Sequence, residues 1–520
     1  MRIRPWCLLA CVAGLVVPGP SVASEPPAPI VTTLRFPALG AHLADVEMSI
    51  PAKKRATVDL MMAAWSPGFY RIEDYANSVQ SLGAWDPGGK SLRVWRVAKN
   101  RWRVETKGTD RAVVVYRLLC DRHSTTTNWV GTDYALLNGP ATFLKLVEAE
   151  RRPYDVRVSL PSTWTRSLTA LPQASPDRPN HYRAEDYDGL IDAPIVAGNP
   201  SVHSFKLEES EHLLVDVGNL GAWDGERAAN DLAKVVLANR RFWGMLPFKK
   251  YVFLNVFREG GGGLEHKDSC LLTTDASVMA SPQSYLRWLE FAGHEYFHAF
   301  NVKRLRPVEL GPFDYEKPAR TRGLWVAEGL TTYYGELLTI RAGFGGQDDF
   351  LAMMSGHIAE LQGTPGRLVQ TLEQSSWDVW ATSTSGIGLG GSRTAVSFYT
   401  KGPVVAFLLD ARIRRSSGGR KSLDDVMRLA FARHGGARGF TPDEFRKAVE
   451  EATGLLLGDW LHKALATTEE LDYTEAFQWY GLQFTYGDGQ AKGWTLAPRA
   501  DATEDQRARL RGLIAPAQDH

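Results

Sequence analysis

Cysteine is scarce: four residues in 520, with Cys7 and Cys11 inside the first dozen positions. That excludes a disulfide framework and a cysteine zinc knuckle, so any metal must be held by histidine and carboxylate. Net charge is nearly absent as well. Sixty Lys and Arg against 59 Asp and Glu leave +1, which gives no basic surface scaled to a nucleic-acid backbone. No apolar run reaches the ~20 residues that span a bilayer, and no repeat period or long low-complexity tract interrupts the chain. What remains is ordinary globular material, 44% hydrophobic and 23% charged, long enough at about 150 residues per domain for several separate cores.

The first stretch, MRIRPWCLLACVAGLVVPGPSVAS, sets two arginines before a short apolar run and ends on small residues. It reads as a signal peptide, residues 1–24, cut after Ala23 or Ser24, which makes the mature protein exported, periplasmic or secreted. A membrane anchor is the competing reading, and the apolar run is too short for it. Leu8-Leu9-Ala10-Cys11 has the outline of a lipoprotein box, but apolar residues continue past Cys11. Cleavage leaves Cys120 and Cys270, open to one bridge in an oxidising compartment.

From 25 to 205 the pattern is short and alternating, as in ATVDLMMAAW, RAVVVYRLL and YDVRVSLP, separated by Gly, Pro, Asp and Asn. This predicts an N-terminal antiparallel, sandwich-like β domain. After Trp223-Asp224-Gly225 the spacing turns helical. Residues 206–410 read as a second domain: KKYVFLNVFRE as a strand, GGGGLEHKDS as a loop, CLLTTDASVM as another strand, and SPQSYLRWLEFAGHEYFHAFNVKRLRP as a helix that cannot pass Pro307. LWVAEGLTTYYGELLTI is a further helical run. Residues 411–487 form a C-terminal helical region, with N-terminal caps at Ser422–Asp425 and Thr441–Glu444, and 488–520 read as a polar tail. The fold class is multidomain α+β.

FAGHEYFHAF places His294, Glu295 and His298 within five positions. On a helix, residues four apart share a face, so two imidazoles can meet one ion at about 2.0–2.1 Å. Glu295, about 100° further round, stands beside the metal position, where a base is needed to deprotonate an activated water. The same motif arises by chance often enough to be only suggestive, and buried structural histidines are the plain alternative. Against that, Leu286, Leu289, Phe297 and Phe300 already form an apolar face with the histidines to one side. A catalytic zinc needs a third ligand and an open position. Glu328, inside the apolar LWVAEGLTTYY, is the best candidate, since carboxylates are rarely buried unpartnered; an exposed surface Glu is the alternative. Glu309 and Glu316 are nearer in sequence but lie in a Pro- and Gly-rich connection.

Two further elements bear on substrate choice. In GGGGLEH, Gly262 and Gly263 allow a close backbone approach, and Glu265 could pair with a free α-ammonium; a solvated hairpin is equally consistent. Tyr399, in SFYTKGPVVAFLL, could donate to an oxyanion, although a core tyrosine is the commoner occurrence. Lys401 reads as a capping or orienting residue. Lys303, Arg304 and Arg306 read as charges complementing a helix C-terminus.

Together, GGGLEHKDS, GHEYFHAFNVKRLRP, LWVAEGLTTYY, PGRLVQTLEQSSWDVW and FYTKGPVVAFLLD resemble, in order, the motifs of the bacterial glycyl aminopeptidases, gluzincin-type metallopeptidases. The resemblance covers roughly residues 30 to 485. It implies a thermolysin-like catalytic domain behind the β domain, Zn2+ on His294, His298 and Glu328, Glu295 as general base and acid, Glu265 (with Gly262 and Gly263 beside it) holding the amine, and Tyr399 stabilising the transition state. The implied activity is an exported zinc aminopeptidase acting on peptides with a free N-terminus and favouring small first residues such as glycine. A zinc endopeptidase of the same fold is the alternative, and a non-catalytic exported binding protein the different-class one. Family members often continue into a PDZ domain, whereas only about 35 residues follow YGLQF. No nucleic acid and no stable membrane span are expected.

Overall fold

A computed structural model describes residues 27–148, 150–382, 394–485 and 493–516. The signal peptide read at 1–24 and both ends of the 488–520 segment lie outside the described residues. Within the first domain, Leu43–Pro51 and Arg111–Leu119 pair antiparallel, with Val46 opposite Tyr116 and Met48 opposite Val114. Their buried residues recur every second position, as a strand with one face on a core requires. They stand near the middle of a seven-stranded sheet. Its first strand, Ile30–Arg35, pairs parallel with Tyr154–Ser159, a departure from the purely antiparallel expectation.

Two four-stranded sheets close over the same core. One brings Leu60, Trp102 and Val104; the other brings Ala135, Leu137 and Ile195. In that last sheet the intervening residues Tyr134, Leu136 and Val196 point the opposite way, onto Val215, Val252, Leu254 and Leu264 of the second domain. One period-2 pattern therefore serves two cores, and the apolar layer fixes the domains against each other.

The second domain's sheet runs in the order Ser201–Leu207, Ser210–Gly218, Lys250–Phe257, Ser269–Thr274, Gly262–Glu265. Ser201–Leu207 pairs along its whole length with Ser210–Gly218, so the sheet begins at 201 and not after 205. The GGGGLEH segment, expected as a loop, supplies the edge strand Gly262–Glu265, antiparallel to Ser269–Thr274; with no side chains at its glycines it carries no alternation to read.

Ser281 caps the helix Pro282–Phe297, with proline in its first turn. The helix ends at Phe297, well before Pro307, and His298 is its C-cap. Asn301 explains the stop: its side-chain amide donates to Val326 O at 2.7 Å and Thr331 Oγ1 at 3.0 Å, and the chain reverses through Val302 at φ 125°. The motif histidines thus lie at a helix end that is bolted to the next helix.

Helices beyond 411 share this core. Leu423, Val426, Phe445, Val449 and Leu461 belong to the same apolar cluster as Phe297 and Leu330. The stretch expected as a polar tail holds a strand, Thr495–Pro498, paired with Leu482–Thr485. It also holds a helix, Glu504–Ile514, opened by a Thr503–Gln506 capping box and burying Leu510 and Leu513. Cys120 and Cys270 are both free and sit in different cores, so no bridge joins them.

Candidate metal centre

His294 Nε2 and His298 Nε2 are 3.0 Å apart. Glu328 Oε2 lies 3.2 Å from the second and 3.9 Å from the first. Donor atoms of a tetrahedral zinc held at about 2.0–2.1 Å stand roughly 3.3 Å from one another, so this convergence fits one ion. The outer contacts fit as well. His298 Nδ1 donates to Asn301 O at 2.8 Å, which turns the Nε2 lone pair inward. Thr332 Oγ1 donates to Glu328 O at 2.9 Å and stands 3.5 Å from His294 Nδ1.

Backbone geometry accounts for the arrival of Glu328. A π-helical turn, Trp325–Gly329, precedes the helix Leu330–Arg341, and its extra residue re-aims the side chain by part of a turn. The helix is held close to the motif because Gly335 sits on His294, where a Cβ would stand 2.9 Å from the His294 Cα.

The electrostatics favour a cation. Burial opposes charge on His298, yet the fields of Glu328, Glu265 and Glu295 outweigh it and raise its pKa to about 10. Burial and the neighbouring His298 push His294 down to about 3. Glu295, 5% exposed, has its pKa raised by burial and by Glu265 and Glu328, and its Oε2 has no protein partner. Burial lifts Glu265 to about 7, with Glu328 adding to the effect and His298 and Lys303 opposing it. Glu265, Glu295 and His298 form a second group of possible ligands that overlaps the first.

Strand Gly262–Glu265 runs directly over Glu295. A Cβ on Gly263 would overlap Glu295 Oε1, so only glycine lets the backbone approach so near; Gly262, beside it, has φ 142°. Tyr399 lies in the first turn of Phe398–Ser417, which Ser397 caps. Its ring centroid is 6.2 Å from that of His294, and burial together with Glu328 and Glu265 raises its pKa.

Other sequence candidates lie elsewhere. Glu309 accepts from Thr321 at 3.1 Å, and Glu316 pairs with Arg101. Burial lowers Lys401 to about 8, and its charged neighbour is Glu470. Arg304 does cap the end of the motif helix through Ala299 O at 2.7 Å, and Arg306 binds Gly311 O at 3.1 Å. Lys303 instead donates to Asp192 of the first domain at 2.6 Å. Asp192 also accepts from Lys267 N at 2.8 Å, which ties down the turn after Glu265.

Tyr70 was not legible as a site residue. Its hydroxyl donates to Glu328 Oε1 at 2.8 Å, from the turn SPGFY in the first domain, a segment with no spacing that relates it to the motif. Gly68 in the same turn lies against Glu265, where a Cβ would stand 2.5 Å from both carboxylate oxygens.

Two family models match the chain: the Peptidase M61 N-terminal domain over residues 32–199 and the M61 glycyl aminopeptidase over residues 287–405. The chain belongs to the M61 glycyl aminopeptidase family. Among solved structures it is similar to an aminopeptidase N family protein from Idiomarina loihiensis, at 26% identity and TM-score 0.83, covering 92% of this chain and 82% of that one. It also shares the fold of a variant M1 zinc metallopeptidase from Deinococcus radiodurans bound to a Tyr-Ser-Ala substrate, at 12% identity and TM-score 0.53, covering 85% and 94%. A search of curated proteins found no match. The M61 membership makes the chain a peptidase, and its N-terminal β domain and catalytic domain follow the family's order. Among the described residues no helix is long and apolar enough to cross a membrane.

Proposed function

We propose that the protein is an exported zinc aminopeptidase that hydrolyses the first peptide bond of peptides and favours small first residues such as glycine. The observation that carries this reading is the position of Glu265. Its carboxylate oxygen lies within 4.8 Å of ligand-type atoms of Glu295 and His298, backed by Gly68. A carboxylate one residue's length from the reacting carbonyl suits an α-ammonium and leaves little room for preceding chain. Export rests on the leader sequence, and the glycine preference on the family.

His294, His298 and Glu328 would hold Zn2+, which when bound supplies a Lewis acid and a readily deprotonated water. Glu295 takes the proton of the attacking water at a carboxylate oxygen and returns it to the leaving nitrogen. Its burial among carboxylates raises its basicity for that task. Tyr399 donates its hydroxyl hydrogen to the carbonyl oxygen as negative charge gathers there. Glu265 binds the ammonium and sets which bond is cut. Gly263 brings the strand backbone to the same spot, where its free edge can pair with an extended peptide.

The test is hydrolysis of free and N-acetylated aminoacyl and peptide substrates by the mature protein, with chelator and zinc add-back, for wild type and Glu265→Ala. Chelator-sensitive release confined to free amino ends, with Glu265→Ala impaired most on those substrates, is expected. Efficient cleavage of acetylated peptides would make the enzyme an endopeptidase, and turnover insensitive to chelator would remove the metal from the mechanism.

A further inference from the structure

We propose that Tyr70, from the N-terminal domain, sets the size limit on the substrate's first residue by walling the metal centre off from a large cavity between the two domains. The proposal rests on the aminopeptidase reading above. Three observations support it, the first being position. A first residue bound with its amine at Glu265 and its carbonyl oxygen at Tyr399 has its Cα between those groups. The Tyr70 hydroxyl is anchored there, 2.8 Å from Glu328 Oε1, and Glu265, Glu328 and Tyr399 are the neighbouring groups that act on it electrostatically.

The second is rigidity. Tyr70 is 1% exposed, and its ring meets Trp380 edge-on at 6.1 Å, as Trp65 does at 5.0 Å. The turn that carries it is fastened at its start and closed on itself. Trp65 Nε1 donates to Asp314 O at 3.1 Å, Ala64 N donates to Tyr315 O at 2.8 Å, and Phe69 N donates to Ser66 O at 2.9 Å. A ring packed in this way does not swing aside for a bulky side chain without breaking those contacts.

The third is what lies behind it. A cavity of about 770 Å³ opens between the domains, and Trp65, Gly68, Tyr70 and Glu265 form part of its wall. Tyr70 therefore borders the cavity while its hydroxyl reaches Glu328. The volume falls within the range of roughly 300–1,000 Å³ that takes small organic ligands, ample for any amino-acid side chain. Removing the ring would join this space to the site of the first residue. Removing only the hydroxyl would leave the wall standing and cost Glu328 a hydrogen bond.

The experiment measures kcat/KM of zinc-loaded wild type, Tyr70→Phe and Tyr70→Ala on Gly-, Ala-, Leu- and Phe-p-nitroanilides, together with zinc retained after dialysis against a chelator. Wild type is expected to lose activity steadily as the first residue grows. Tyr70→Phe should keep that order while losing zinc faster, and Tyr70→Ala should raise the Leu/Gly and Phe/Gly ratios by about tenfold or more, the scale on which a pocket discriminates a few methylenes. Tyr70→Val, which opens a smaller gap, gives the same reading should the alanine variant fail to fold. Wild type cleaving Leu and Phe substrates as fast as Gly would overturn the proposal, as would a folded, zinc-retaining Tyr70→Ala with the wild-type ratios. Wild type inert on every free-amino substrate would instead remove the aminopeptidase reading, and this proposal with it.

Discussion

Gly402 and Gly329 touch backbone to backbone: a Cβ on Gly402 would stand 2.5 Å from the Cα of Gly329, and one on Gly329 would stand 2.7 Å from the Cα of Gly402. Gly329 follows Glu328, and Gly402 lies one turn beyond Tyr399, so this contact sets the distance between the proposed metal ligand and the proposed oxyanion donor. Gly402→Ala must push the two helices apart. The expected cost is about 1–3 kcal/mol of stability, seen as a lower unfolding midpoint, with a fall in kcat larger than the rise in KM. A variant with wild-type midpoint and kcat would show that the helices absorb the methyl group freely.

Glu295→Gln keeps the shape and volume of the proposed base and removes its capacity to take a proton. Since general acid–base catalysis contributes on the order of 10²–10⁴ in rate, kcat should fall by that factor while zinc content, measured on the purified protein, stays at wild type. Substantial turnover with Gln at this position would assign the proton transfer to another group.

Much of this site could be read from spacing, because its parts are local. His294 and His298 follow from helical geometry, and Glu328 follows from the cost of burying a carboxylate in an apolar segment. Tyr70 and Asp192 could not be found in that way, since their roles exist only after two domains dock and nothing in SPGFY or around Asp192 carries a period. The early stop of the motif helix depended on Asn301 reaching Val326 and Thr331, again a contact between segments. The edge strand was hidden by glycine. The last helix had its signal in plain view, the Thr503–Gln506 cap, but its exposed polar face outweighed the two leucines it buries.

Stripping the proposed zinc should destabilise the protein more than the loss of three coordinate bonds suggests on its face. Glu265, Glu295 and Glu328 are each no more than 5% exposed, and without a metal their charge is met only by a proton on His298 and by protons on the carboxylates themselves, in a medium that screens poorly. Chelator-treated protein is expected to unfold several degrees lower, and zinc at about 1,000 times its Kd should return on the order of 4 kcal/mol. Calorimetry with and without added zinc checks this. An unchanged midpoint would mean that the carboxylates are neutral in the apo protein, with protons in place of the ion.

His212 supplies a pH dependence unconnected with catalysis. It is fully buried, stacked on Phe205 at 4.8 Å, with Nε2 3.1 Å from the Tyr296 hydroxyl. Burial pushes its pKa down to about 4, against about 6.5 in an unfolded chain. Between those values the unfolded state holds a proton that the folded state lacks, so the stability contributed by the neutral imidazole is complete above about pH 6.5 and is lost as pH falls towards 4. A displacement of that size corresponds to about 3 kcal/mol. His212→Gln retains a hydrogen-bonding side chain and cannot titrate. Its unfolding free energy should therefore fall less than that of wild type between pH 7.5 and 4.5, by an amount of this order, in urea titrations at the two pH values. Parallel losses in the two proteins would place the acid sensitivity in other groups, His294 among them, whose pKa is also pushed down.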